Sequence, residues 1–113
     1  MQMIESHLVV LEMPDGERSF RCQSDEFIWN AAAQNGITLP AICHQGRCLT
    51  CAGRLLAGAV DQSNAVAYFR EDEQAGFVLL CTALPLRDLR VRTHQQWVMR
   101  EHRLKLGLPA PYS

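Results

Sequence analysis

Three cysteines fall within nine residues, Cys43-His-Gln-Gly-Arg-Cys48-Leu-Thr-Cys51, and a fourth, Cys81, stands thirty positions further on. C-x4-C-x2-C with one distant cysteine is the ligand spacing of a [2Fe-2S] cluster held by four thiolates. The two irons and their bridging sulfides form a compact unit that takes thiolates from several directions. One tight loop therefore supplies three, and a remote strand end supplies the fourth. Any fold of this chain must bring residue 81 back beside the loop at 43–51. Structural zinc fits less well, because such sites usually pair two short C-x2-C knuckles and only Cys48-Leu-Thr-Cys51 has that form here.

The remaining cysteine, Cys22, makes the count five. An odd number argues against a disulfide framework, as does an N-terminus, Met1-Gln2-Met3-Ile4-Glu5-Ser6-His7, with no basic n-region and no apolar h-region. The expectation is an intracellular protein, cytoplasmic or in the equivalent chloroplast stroma, with Cys22 as a small buried hydrophobe. The longest largely apolar run, Phe77 to Leu86, is ten residues with a proline inside it, about half of the ~20 that a spanning helix needs, so no membrane insertion is expected. A length of 113 residues with 48% hydrophobic and 20% charged side chains fits one ordered domain.

The net charge of −1 is unevenly distributed: Arg87, Arg90, Arg92, Arg100, Arg103 and Lys105 face only Asp88 and Glu101 in the C-terminal part. The first 86 residues hold the other five basic and ten acidic side chains, so the two parts are expected to present opposite potentials. No nucleic-acid motif accompanies the basic stretch.

Along the chain, 7–13 and 17–22 read as a hairpin across the turn residues Pro14-Asp15-Gly16. Ser24 is placed to cap a helix over about 25–35 whose buried face is Phe27, Ile28, Ala31 and Ala32, with Gly36 at its stop. Trp29 lies one position off that stripe and is either core or surface. Gly46 gives the cysteine loop a residue able to adopt positive φ around inorganic sulfur. Residues 53–60 read as a strand, 61–64 as a turn, 70–76 as a short helical turn, and 77–80 as the strand that returns to Cys81. Leu89-Arg-Val-Arg-Thr93 alternates apolar with charged, the pattern of an exposed or edge strand. Trp97, Val98 and Leu104 form a helical stripe in 95–106, a segment that either docks as a helix or stays loose. Strands, one main helix and further strands make the fold α+β.

Beyond the cysteines, Leu39-Pro40, Gly46, Thr50-Cys51-Ala52-Gly53, Gly58, Val60-Asp61-Gln62-Ser63, Ala75-Gly76-Phe77-Val78-Leu79 and Thr93-His94 follow one another as the landmarks of a known family. Over about residues 7–94 the chain resembles the plant-type ferredoxins of chloroplasts and cyanobacteria. The resemblance implies a β-grasp (ubiquitin-like) fold, a mixed sheet with one main helix packed across it and a cluster-binding loop. It implies a ferredoxin domain over 1–94 and a basic extension over 95–113. It implies that Cys43 and Cys48 hold the outer iron of a [2Fe-2S] cluster, and Cys51 and Cys81 the inner one. The expected protein is a monomeric one-electron carrier, not an enzyme, taking low-potential electrons from photosystem I or a ferredoxin reductase to ferredoxin-dependent enzymes. The alternative is an iron- or redox-sensing regulatory protein that uses the cluster as sensor and the basic tail as contact.

Three departures from the family pattern bear on partners. The loop carries His44, Gln45 and Arg47, so titratable groups surround the cluster, and protonation of His44 is expected to make the potential pH-dependent near neutrality. Gln95, Gln96 and Trp97 stand where the family often has carboxylates, and Ala67 where it has an aromatic, with Tyr68 or Phe69 as stand-ins, so a weakened match to the usual reductase is expected. Glu71, Asp72 and Glu73 keep one acidic cluster for a basic partner. The third departure is the extension itself, either a docking element or extra packing against the sheet.

Overall fold

The computed structural model describes residues 5–41, 45 and 49–111. The chain opens with the hairpin, β1 (Ser6–Met13) and β2 (Gly16–Gln23), paired antiparallel from Ser6↔Gln23 to Met13↔Gly16. Alternation decides its inner face: Val9, Leu11, Phe20 and Cys22 are buried, and their neighbours in sequence face outward.

Helix α1 spans Ile28–Gln34, shorter than the expected 25–35. Ser24 does not cap it. The Ser24 hydroxyl instead accepts from the Glu5 amide, and the Ser24 amide donates to the Glu5 carbonyl, which ties the end of β2 to the start of β1. The chain is still held by the hairpin at Ser24, so the helix begins only where the Ile28 amide can reach the Ala83 carbonyl, at 3.0 Å. Ile28, Ala31 and Ala32 are buried as expected. Trp29 is half-buried, and its indole donates to the Leu39 carbonyl at 3.0 Å, which anchors the entry to the cysteine loop.

After that loop come β3 (Ala52–Ala57), β4 (Val60–Asp61), α2 (Arg70–Gln74), β5 (Phe77–Leu79), β6 (Leu84–Pro85), β7 (Leu89–Arg92) and α3 (Gln96–Leu106). The expected strand over 53–60 is thus split. Gly58, at φ +100°, breaks it, and a side chain there would run into the Asp88 carbonyl oxygen. Beyond the break, β4 joins β6 in a separate two-stranded sheet.

The main sheet runs β2-β1-β7-β3-β5, with β7 parallel to β1 and antiparallel to β3. The expectation that 89–93 forms an edge or exposed strand is corrected: β7 is the central strand. Its apolar-charged alternation reports which faces are wet, not how many neighbours the strand has. Leu89 and Val91 are buried on the core face. On the other face Arg90 and Arg92 reach Glu12 at 2.6 and 3.3 Å, and Arg90 reaches Glu17 at 2.7 Å. The Arg90 hydrogen bond is the main reason the Glu12 carboxyl titrates below its usual range. The mixed sheet with a helix across it is the α+β, β-grasp arrangement.

The core divides in two. One buried cluster lies between the hairpin, α1 and β7, around Val9, Leu11, Phe20, Ile28 and Val91. The other joins Leu49, Cys51, Ala52, Phe77, Leu79 and Cys81 to Met99 of α3. Helix α3 is therefore docked, and at 11 residues it is longer than α1. No helix among the described residues is long and apolar enough to cross a membrane.

Candidate metal centre

The register of two strands assembles the part of the centre that is described. β3 and β5 pair antiparallel with Ala52 opposite Leu79, and the Leu80 amide donates to the Cys51 carbonyl at 3.2 Å. Cys51 immediately precedes β3 and Cys81 lies just past the end of β5, so the pairing sets them side by side. Their Sγ atoms are 3.0 Å apart, both residues are almost fully buried, and the two are not joined in a disulfide. A disulfide would hold the sulfurs at about 2.05 Å. Two thiolates sharing a tetrahedral metal with bonds of about 2.3 Å stand about 3.8 Å apart, which a small side-chain rotation reaches.

Cys43 and Cys48, with His44, Gly46 and Arg47, lie outside the described residues. Gln45 is described, and its carbonyl accepts from the Val66 amide at 2.9 Å, which ties the cysteine loop to the chain ahead of α2.

A second observation fits the donor set. The Thr50 hydroxyl is buried with no hydrogen-bond partner among the described residues, one position before Cys51. Leaving such a group unsatisfied costs about 1–3 kcal/mol, and inorganic sulfide or thiolate sulfur would be a suitable acceptor for it. Soft sulfur donors in an apolar pocket, with an unpartnered hydroxyl one residue from Cys51, suit an iron-sulfur cluster.

The strand that delivers Cys81 lies at the edge of the sheet, and side chains close its open side. The Gln62 amide acts as a piece of missing strand: its Oε1 accepts from the Leu79 amide and its Nε2 donates to the Leu79 carbonyl at 3.3 Å. Tyr68 donates its hydroxyl to the Phe77 carbonyl at 2.6 Å. Burial, with Glu73 and Asp72 nearby, raises the phenol above its usual titration range and keeps it a donor. Gln62→Leu removes the acceptor of the Leu79 amide, while the Leu79 carbonyl keeps the Thr82 amide at 3.1 Å, and the loss is expected to cost about 1–3 kcal/mol, read as a lower urea midpoint. Gln62→Glu, which keeps the acceptor and loses the donor, is expected to fall between.

Cys22 is apart from this site. It is fully buried in the other cluster, and its thiol is 3.2 Å from the Glu26 carbonyl. Burial first, then the charges of Glu26 and Asp25, push the thiol up to about 12. The expectation of a small buried hydrophobe holds. At pH 8 Cys22 is expected to resist iodoacetamide in the folded protein and to react once the chain is unfolded, as peptide mapping would show.

Helix α3 meets the centre on one stripe, Gln95, Met99 and Arg103, spaced four apart. The Gln95 amide donates to the Ala52 carbonyl at 3.0 Å, next to Cys51. Met99 is fully buried in the cluster that contains both thiols. Arg103, also fully buried, makes a forked contact with the equally buried Asp72, Nε to Oδ1 at 3.2 Å and an Nη to Oδ2 at 2.7 Å. It also donates to the Ala67 and Pro109 carbonyls and lies over the Phe69 ring.

These contacts correct three expectations. Trp97, Val98 and Leu104 are not the packing face, being 63%, 44% and 58% exposed. Glu71, Asp72 and Glu73 are not one surface patch, because Asp72 is buried against Arg103. The basic C-terminal stretch is partly paired: Arg90 and Arg92 meet Glu12, Arg103 is buried against Asp72, and Lys105 meets Glu101 on the surface, while Arg100 donates to the Ala110 carbonyl. The structure brings together Cys51 and Cys81 of the expected ligand set, while the roles of Met99, Arg103 and Asp72 in packing beside them were not anticipated from the sequence. The four-residue spacing of Gln95, Met99 and Arg103 was the available signal, and a more apolar neighbouring stripe outweighed it.

Residues 12–86 match the family described as a 2Fe-2S iron-sulfur cluster binding domain. The chain is 40% identical over 79 residues to Ferredoxin-2 of a Synechococcus species, covering 70% of this chain and 75% of that protein. It is 42% identical over 93 residues to the chloroplastic Ferredoxin-6 of Zea mays, covering 80% of this chain and 59% of that one. Among solved structures, pectocin M2 superposes with a TM-score of 0.73 at 22% identity, over 90% of this chain and 41% of its own, a likeness of fold alone. The match to a cluster-binding family removes the zinc reading.

Proposed function

As a plant-type [2Fe-2S] ferredoxin, this chain is an electron-transfer protein rather than an enzyme, and we propose that it holds its cluster through Cys43, Cys48, Cys51 and Cys81 and carries low-potential electrons from photosystem I or a reductase to acceptor enzymes. The observation that supports the ligand set is the buried, unbridged Cys51–Cys81 pair at 3.0 Å, built by strands of one sheet. When bound, the cluster takes up and returns one electron.

The chain's own work is to hold and tune. Cys51 and Cys81 present two sulfurs side by side from the neighbouring strands β3 and β5, and Cys43 and Cys48 complete the proposed ligand set. Leu49, Leu79, Phe77 and Met99 exclude water from the inner pair. That exclusion disfavours the extra negative charge of the reduced state and holds the potential low, on the order of −400 mV for this class. Partner choice differs from that of the main photosynthetic carrier, because Gln95 and Gln96 replace carboxylates and the Tyr68 hydroxyl is committed to Phe77. The location that fits is cytoplasm or stroma, where thiols stay reduced. The sensing alternative relies on the basic tail as contact, and one of that tail's three basic residues, Arg103, is buried against Asp72 and withdrawn from any partner.

The test is chemical analysis of anaerobically isolated protein followed by turnover. The expected result is about two irons and two acid-labile sulfides per chain, a red-brown chromophore, and reversible one-electron reduction. Passage of electrons from a flavin reductase to a ferredoxin-dependent acceptor should follow. Failure to take up iron and sulfide even on reconstitution would overturn the reading.

A further inference from the structure

The unassigned element of this molecule is α3. Its buried stripe begins at the carbonyl next to Cys51, passes through Met99 in the core that contains both inner thiols, and ends on Arg103. We propose that α3 is the cover of the cluster's inner half: Met99 seals the Cys51–Cys81 pair from water, and the Arg103–Asp72 pair clamps the helix in that position.

The clamp has the features of a built contact. Arg103 joins α3 to the first turn of α2 through Asp72, to the chain before α2 through the Ala67 carbonyl, and to the C-terminal tail through the Pro109 carbonyl. Asp72 is itself fixed, since its Oδ2 also accepts from the Phe69 amide at 3.0 Å. Two charges taken fully out of water hold only in good geometry with their other hydrogen-bonding capacity used, and both conditions are met. A planar fork is required, which lysine lacks. The outer surface of α3, by contrast, carries the exposed Trp97 and Leu104 and contributes nothing to the seal.

The consequence is redox and kinetic. Water reaching the inner thiolates stabilises the more negative reduced state and opens a route to cluster hydrolysis, so loosening the cover raises the potential and shortens cluster lifetime. Met99 and Arg103 are positioning residues that act on the cluster through Cys51 and Cys81. The inference rests on the assignment of those two cysteines as ligands.

The experiment uses the full-length holoprotein with Met99→Leu, Met99→Gln and Arg103→Lys. Protein-film voltammetry gives the potential, visible bleaching in excess EDTA gives cluster lifetime, and melting temperature is followed in parallel. Met99→Leu is expected to match the parent in all three. Met99→Gln and Arg103→Lys are expected to shift the potential upward and to bleach several-fold faster while still binding full iron and sulfide. A lower melting temperature with parental potential and bleaching rate would reduce α3 to ordinary packing and overturn the proposal, leaving the electron-carrier reading intact. A parent chain that binds no iron and sulfide would overturn both.

Discussion

Asp72→Ala is expected to destabilise the folded protein by about 3–5 kcal/mol, the cost of leaving a buried guanidinium without its counter-charge. Arg103 has no exposed surface through which water could replace the carboxylate. Its contacts to the Ala67 and Pro109 carbonyls supply partial charges only. The measurement is the urea midpoint followed by far-UV circular dichroism. Arg103→Met with Asp72 left in place is expected to be costly but less so, because the buried carboxylate keeps the Phe69 amide at 3.0 Å and has His102 Nε2 at 3.5 Å. The double replacement Asp72→Leu with Arg103→Met is expected to recover most of the loss, since it removes both desolvation penalties together. Losses that simply add would show that the pair is not coupled. Truncation after His94 strands Asp72 in the same way and uncovers the Met99 pocket, so it tests the core rather than a detachable tail.

Cys81→Ser is expected to abolish the visible chromophore and cut bound iron at least tenfold, and Cys51→Ser to do the same, while Cys22→Ser leaves both at parental level. A serine oxygen is a hard donor that is poorly deprotonated in an apolar pocket, and both positions are almost fully buried. Iron analysis with visible absorbance reads the outcome. Retention of the chromophore in Cys81→Ser would remove the distal ligand from the assignment. Loss of it in Cys22→Ser would mean that the buried thiol beside Glu26 participates after all.

The two sets of variants address different levels of the structure. The cysteine variants ask whether the centre exists, and the Asp72 and Arg103 variants ask what holds its inner wall. Only the second set is expected to lower stability in proportion to buried charge.

Hairpin, turn, α1 stripe and returning strand were legible because each is written in a local period: two for Val9, Leu11, Phe20 and Cys22, and nearly four for Ile28, Ala31 and Ala32. The ligand spacing was legible because cluster geometry permits few arrangements of four thiolates. Neighbour relations were not. The pattern Leu89-Arg-Val-Arg looks the same on an edge strand and on a central one whose outer face is wet, and only pairing with β1 and β3 made it central.

The packing face of α3 shows the same limit more sharply. Hydrophobicity pointed to Trp97, Val98 and Leu104, yet the helix buries an arginine. A charge is tolerable inside only when a counter-charge from elsewhere in the chain is already buried opposite, and Asp72, thirty-one positions away, provides it. The periodic elements and the ligand spacing could be read along the chain, because both depend on residues close together in sequence or on a fixed spacing. Tertiary structure alone decided strand order, the face of α3 and the fate of the basic charges, because each depends on which distant group arrives to share the desolvation.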